Sequence, residues 1–176
     1  MNIFAEADMT YSEIRKILED AGIVSPAYEA QLLIEQFCGI PPHEILWRQN
    51  ENVDSSALTE AVTRRARREP LQYILGKWTF WGLDFFLNED CLIPRADTEL
   101  TVELAVANLP GGAVFLDIGT GSGAISVAVL HERDDVKAVG LDISENALSA
   151  ARRNADINGV GDRFSVIHGD ALSPDT

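Results

Sequence analysis

The stretch "VFLDIGTGSGAIS", Val114 to Ser126, decides how this chain is read. A short apolar run breaks into glycines at 119, 121 and 123 and then resumes with helix-forming residues. Glycines let a backbone approach a ligand closely, and a helix opening behind them offers free N–H groups. The same residues satisfy the looser dinucleotide fingerprint, with Gly119, Gly121 and Ala124 in its three small positions. On its own the turn admits a pyrophosphate, another nucleoside cofactor, or no ligand.

The flanks give the turn a fold. Val114 to Ile118 reads as a buried strand, Ser122 to Glu132 as a helix and Val136 to Leu141 as a second strand. Ser144 caps a helix running through Ala147, Leu148 and Ala151 to Asn158, and Gly159 stops it. Phe164 to Ile167 is a third strand. This alternation predicts an α/β fold with a parallel sheet. Three acids then fall near carboxyl ends of strands, where open α/β sheets bind ligands: Asp117, Asp142 and Asp170. An anion at Asp117 gains nothing from a pyrophosphate but favours a cofactor carrying an ammonium and a sulfonium. Asp142 can accept from ribose hydroxyls, and Asp170 suits an adenine amino group. The competing reading is that such acids only cap the turns and helices that follow them.

Upstream the pattern is helical. Thr10 and Glu13 form a capping-box pattern, with Ile14, Ile17, Leu18 and Ala21 on one face and Gly22 as the stop. Ser25-Pro26 starts a second helix with Ala30, Leu33, Ile34 and Phe37 in a stripe, ended by Gly39. Pro41-Pro42 opens a short helix carrying Ile45, Leu46 and Trp47. Asp54 to Ser56 caps a fourth that runs to Glu69, where Pro70 breaks it. Its end carries Arg64, Arg65, Arg67 and Arg68. Those cations suit a helix C-terminus, or they form a docking patch for an acidic partner or RNA. "KWTFWGLDFFLN" from Lys77 predicts a β-hairpin around Trp81-Gly82. After Pro94 a helix is expected with Leu100, Leu104 and Leu109 inward.

Composition bounds the function. With 46% hydrophobic residues over 176, the chain is globular rather than disordered. A net charge of −14 argues against broad nucleic-acid binding, which rests on phosphate neutralisation. No apolar run approaches the ~20 residues of a membrane span, and the N-terminus has no basic region followed by an apolar stretch. Cys38, Cys91, His43, His131 and His168 are scattered and form no metal-ligand spacing. A reducing cytoplasm is the expected location, and no metal is expected.

"PLQYILG", "FWGLDFFLN", "LIPRADTEL", "LDIGTGSGAI" and "LDIS", in this order, resemble the HemK/PrmC family. Its members are S-adenosylmethionine-dependent methyltransferases of a glutamine side-chain amide (N5) in peptide-chain release factors. The resemblance implies residues 1–75 as a helical recognition domain and 76–94 as a hairpin linker. It implies 95–176 as the first part of a Rossmann-like, class I methyltransferase domain. Carried over by motif, Gly119, Thr120, Gly121, Ser122 and Gly123 wrap the methionine part of S-adenosylmethionine. Asp142 holds its ribose, and Asp170 and Ala171 lie beside its adenine. Ala171 stands where some members place an aromatic, and Ala96 where many have proline. The family's Asn-Pro-Pro-Tyr segment, which holds the acceptor amide, does not occur here. The reading therefore expects a truncated chain, inactive alone, with no catalytic residue to name. An NAD-binding oxidoreductase, a nucleic-acid amino-group methyltransferase and a non-enzymatic docking module are the alternatives.

Overall fold

The structure is a computed structural model describing residues 9–53 and 55–173. The chain divides into two compact units, Met1–Leu75 and Gly76–Thr176.

The first unit is helical: α1 (Tyr11–Asp20), α2 (Pro26–Cys38), α3 (Pro42–Ile45), α4 (Ser56–Ala66) and α5 (Leu71–Leu75). A two-residue bridge joins β1 (Met9–Thr10) to β2 (Asn52–Val53). The capping box at α1 forms as expected: the Thr10 hydroxyl accepts from Glu13 N–H, and Glu13 Oε2 accepts from Thr10 N–H at 2.8 Å. Gly39 ends α2 in the left-handed region at φ +68°, which only glycine adopts without cost. Ile14, Leu18, Leu33, Ile34 and Leu58 fill the core, all at most 1% exposed.

Two expectations for this unit need correction. α3 is a single turn, and Leu46 and Trp47 lie beyond it, exposed. α4 stops at Ala66, and after Pro70 the chain turns at once into α5, whose Leu71, Ile74 and Leu75 are buried. The expected cap at Asp54 lies outside the described residues; the Ser55 hydroxyl accepts from Leu58 N–H and caps α4.

The arginine cluster closes the unit on itself. Arg65 pairs with Glu29 across α2 and α4, at side-chain exposures of 15% and 13%. Arg64 pairs with Glu69. Arg68 Nη2 donates to the carbonyls of Ala21 (3.1 Å) and Gly22 (3.3 Å), capping the end of α1. At least three of the four arginines thus hold helix ends and carboxylates of their own unit.

The second unit opens with the hairpin β3 (Lys77–Phe80) and β4 (Leu83–Phe86). Trp81 and Gly82 make its turn with φ of +54° and +70°, the positive pair that a two-residue hairpin requires. A tryptophan in that position is strained. Its indole N–H donates to Glu132 Oε1 at 2.8 Å and its backbone N–H to Glu99 Oε1 at 3.3 Å, which anchor it. After α6 (Glu99–Asn108), the strands β5 (Val114–Ile118), β6 (Lys137–Asp142) and β7 (Phe164–His168) form a parallel sheet in that order. α7 (Ala124–Glu132) and α8 (Glu145–Ile157) connect them.

The register sorts the sheet into two faces. Phe115, Ala138 and Phe164 stand in one row, and Asp117, Gly140 and Val166 in the next, on the side packed with helix residues. On the other side β5 is exposed: Val114, Leu116 and Ile118 are 66%, 55% and 62% exposed, while Leu141 of β6 on that side is buried. β5 is therefore not the buried strand expected of it. An apolar run shows that a strand is apolar, not that both faces are covered. α6 is corrected too. Leu100 and Leu104 are 59% and 56% exposed, while Val102 is fully buried, with Ala105, Val106 and Leu109 packed around the core. Apolar residues are spread around that helix among Glu99, Thr101, Glu103 and Asn108, so its pattern does not tell which face turns inward.

Candidate functional site

The glycine turn sits between β5 and α7, at the carboxyl end of the parallel sheet. Gly119, Gly121 and Gly123 have φ of +72°, +55° and +78°. α7 begins at Ala124, two residues later than expected, because Gly123 in the left-handed region is its N-cap. Below the turn, Gly140 on β6 leaves room for Thr120: a Cβ there would lie 2.8 Å from Thr120 Cγ2 and 2.9 Å from Phe164 Cζ. Gly123 packs against α8, where a Cβ would meet Ala151 Cβ at 3.1 Å.

The hydrogen bonds of the turn are the informative part. Gly119 N–H and Thr120 N–H both donate to the Leu141 carbonyl, at 2.8 and 3.1 Å. Gly123 N–H donates to the Thr120 carbonyl at 2.8 Å. Gly121 N–H donates to Asp142 Oδ2 at 2.8 Å, and Asp142 Oδ1 accepts from Ser144 N–H at 2.9 Å. The turn is thus laced to the end of β6 by its own amides. A pyrophosphate cradle needs such amides free. Here a carboxylate occupies one of them, and its charge opposes a phosphate at that place.

Asp117 has a structural task at the turn. Its row faces the helices, and its Oδ2 accepts from both Thr120 Oγ1 (2.9 Å) and Ser126 Oγ (2.7 Å). It ties strand, turn and first helical turn together from beneath. Thr120 and Ser126, both buried, are partnered through it. Above the turn there is space: a Cβ at Gly119 would meet nothing within 4 Å, and one at Gly121 would meet only the Gly119 carbonyl at 3.9 Å.

Asp170 and Ala171 follow β7 and are exposed. Gly169 N–H donates to the Asp142 carbonyl at 3.0 Å, which brings their loop beside Asp142. Asp170 Oδ1 accepts from Leu172 N–H at 2.9 Å, so the acid also shapes its own turn. Cys91 is buried, and that burial raises its thiol pKa above the ordinary value. No group of three or more metal-ligating side chains occurs among the described residues.

Two residues that matter here were not singled out in the sequence. Gly140 forms the floor under Thr120. Asn154, fully buried on α8, donates through Nδ2 to the Ser122 carbonyl at 2.9 Å. The asparagines at 146, 154 and 158, spaced for one helix face, were the available signal.

Comparison with known proteins fits both units. A family model for the PrmC N-terminal domain matches residues 10–76, and one for a methyltransferase domain matches residues 110–175. With these two matches in this order, the chain is similar to the PrmC family. A release factor glutamine methyltransferase of Caulobacter vibrioides is 38% identical over 158 residues, 87% of this chain and 55% of that protein. One of Geobacter sulfurreducens is 36% identical over 171 residues, 92% of this chain and 60% of that protein. The chain spans about half the length of the curated relatives it matches. Among solved structures, a SAM-dependent methyltransferase of Geobacter sulfurreducens in complex with S-adenosyl-L-homocysteine overlaps 47% of this chain and 33% of its own. Its TM-score is 0.38 and its identity 32%. Among the described residues, no helix is long and apolar enough to cross a membrane.

Proposed function

We propose that this protein is an S-adenosylmethionine-dependent methyltransferase of the glutamine side-chain amide in peptide-chain release factors. The observation that carries the cofactor class is the hydrogen bond from Gly121 N–H to Asp142 Oδ2 at 2.8 Å. It puts a carboxylate where a dinucleotide site needs a free amide, and a cationic, hydroxyl-rich nucleoside matches that donor set. The open space over Gly119 and Gly121 admits a ligand against bare backbone.

S-adenosylmethionine, when bound, supplies an electrophilic methyl group on a sulfonium. Gly119, Thr120, Gly121, Ser122 and Gly123 would wrap its methionine part. Asp142 keeps lone pairs for ribose hydroxyls beyond the two backbone donors it already accepts. Asp170 and Ala171 would lie beside the adenine. Asp117 holds the turn through Thr120 and Ser126. An amide nitrogen is a weak nucleophile, so such a reaction depends on positioning. We assign no catalytic residue in this chain.

The release-factor substrate is supported by the names of the relatives and by the PrmC N-terminal domain model on residues 10–76. A net charge of −14 disfavours a nucleic-acid substrate. The cytoplasm, where release factors act, is the proposed location. Calorimetry with S-adenosylhomocysteine and with NAD tests the cofactor: the first binds, the second does not, and Asp142→Ala weakens the first. Preferential NAD binding sinks the reading. Labelled methyl transfer to a release factor, mapped to a glutamine by mass spectrometry, tests the substrate in the full-length protein. Label on any other residue type refutes it.

A further inference from the structure

One face of α8 is an asparagine ladder against the hairpin. Asn158 Nδ2 donates to the Asp84 carbonyl at 3.0 Å. Asn154 Oδ1 accepts from Phe86 N–H at 2.7 Å, and its Nδ2 donates to the Phe86 carbonyl at 2.9 Å. Asn88 Nδ2 donates to the Asn146 carbonyl at 3.1 Å, and Asn146 Nδ2 to Asp90 Oδ2 at 3.0 Å. Residues 84, 86, 88 and 90 thus run along the helix in the opposite direction, at the strand period of two. The Arg153 guanidinium lies 4.0 Å over the Phe86 ring and covers the middle of the ladder.

Only the middle rung continues further. Asn154 is fully buried, and its Nδ2 also reaches the Ser122 carbonyl inside the glycine turn, at 2.9 Å. Both amide hydrogens and the amide oxygen are therefore spent on backbone groups of two separate segments. A buried amide satisfied at all three positions cannot rotate without stranding a polar group. One turn earlier on the helix, Ala151 touches Gly123. α8 thus meets the turn at two residues one helical turn apart, Ala151 and Asn154, while the Asn154 side chain also grips β4.

We propose that Asn154 is a positioning residue for the cofactor turn, with Phe86 of the hairpin as its anchor. The hairpin is then a working part of the site rather than a linker. This inference rests on the reading of the turn as an S-adenosylmethionine site.

The test compares Asn154→Ala with Asn158→Ala, which cuts an outer rung and leaves the turn untouched. Calorimetry with S-adenosylhomocysteine shows affinity about 10-fold weaker or worse for Asn154→Ala and within about twofold of the parent for Asn158→Ala. Hydrogen exchange at the amides of residues 119–123 accelerates in Asn154→Ala only. That second readout needs no ligand: if the parent does not bind S-adenosylhomocysteine, the cofactor reading fails while exchange still judges the positioning role. A third measurement needs no variant, should Asn154→Ala not fold. In the NMR spectrum of the unmodified chain, the Asn154 side-chain amide resonances shift as S-adenosylhomocysteine is added. Equal losses in the two variants, unaltered exchange in Asn154→Ala, or Asn154 resonances that stay fixed while the ligand binds would each overturn the proposal.

Discussion

Gly123→Ala separates two costs that usually come together. Gly123 has φ +78°, and a Cβ there would lie 3.1 Å from Ala151 Cβ and 3.3 Å from Ala151 Cα. Gly159 has nearly the same backbone, φ +72°, with nothing within 4 Å of its Cβ position. Gly159→Ala therefore reports the left-handed backbone penalty alone, about 1–2 kcal/mol. Gly123→Ala carries that penalty plus overpacking against α8, another ~1–3 kcal/mol. The second unit holds roughly a hundred residues, for which 1 kcal/mol moves Tm by about 4–8 °C. The excess of Gly123→Ala over Gly159→Ala is then about 4 °C or more. Urea unfolding followed by the fluorescence of Trp78 and Trp81, in a Trp47→Phe background, reads this unit alone. Adding Ala151→Gly to Gly123→Ala recovers the overpacking part, less the ~1 kcal/mol of a glycine inside a helix. Coupling between the two positions should appear in the double-mutant cycle. If Gly123→Ala and Gly159→Ala cost the same within about 0.5 kcal/mol, the turn does not press on α8 and the reasoning fails.

Gly140→Ala places a methyl group 2.8 Å from Thr120 Cγ2 without a left-handed backbone, so urea unfolding should show a loss of about 1–3 kcal/mol. An unchanged midpoint would mean that Thr120 has room to move. Arg65→Met strands Glu29 in a partly buried site and should cost about 1–3 kcal/mol by circular dichroism. Adding Glu29→Gln should restore part of that loss, and a lack of recovery argues against the pair. In acid, the Arg133 guanidinium and Gly112 N–H hold the Asp135 carboxyl well below the usual carboxylate range. A folded pKa below the unfolded one gives stability that is present above about pH 4 and lost as the pH falls further. Tm should therefore drop on acidification below that value, and Asp135→Asn should flatten the drop. An unaltered acid slope in that variant contradicts the assignment.

Much of the fold was readable because its signals are local. The Thr10–Glu13 capping box, the Ser144 cap, the Gly39 stop and the Trp81-Gly82 hairpin each depend on a few adjacent residues, and each forms as read. What failed depended on which neighbour covers a face. An α6 with apolar residues on every side and a mostly apolar β5 carry no mark of their inner side, and Leu100, Leu104 and Leu116 are exposed against expectation. Asn154 escaped notice because its partners Ser122 and Phe86 lie 32 and 68 residues away in the chain.

Asp142 shows where residue patterns stop and geometry begins. From the sequence, a strand-end acid is either a cap or a ligand group, as if the two excluded one another. In the structure Oδ1 accepts from Ser144 N–H at 2.9 Å, as a cap would, while Oδ2 takes Gly121 N–H at 2.8 Å. The capping bond aims the carboxylate, and the second bond seals the glycine turn with a negative charge. The glycine spacing alone had left pyrophosphate and sulfonium nucleosides equally admissible. A pyrophosphate at this turn would have to displace Asp142 from Gly121 and then tolerate its charge. A sulfonium and a ribose gain from leaving it in place. The choice between two cofactor classes thus rests on which acceptor the middle glycine's amide has found.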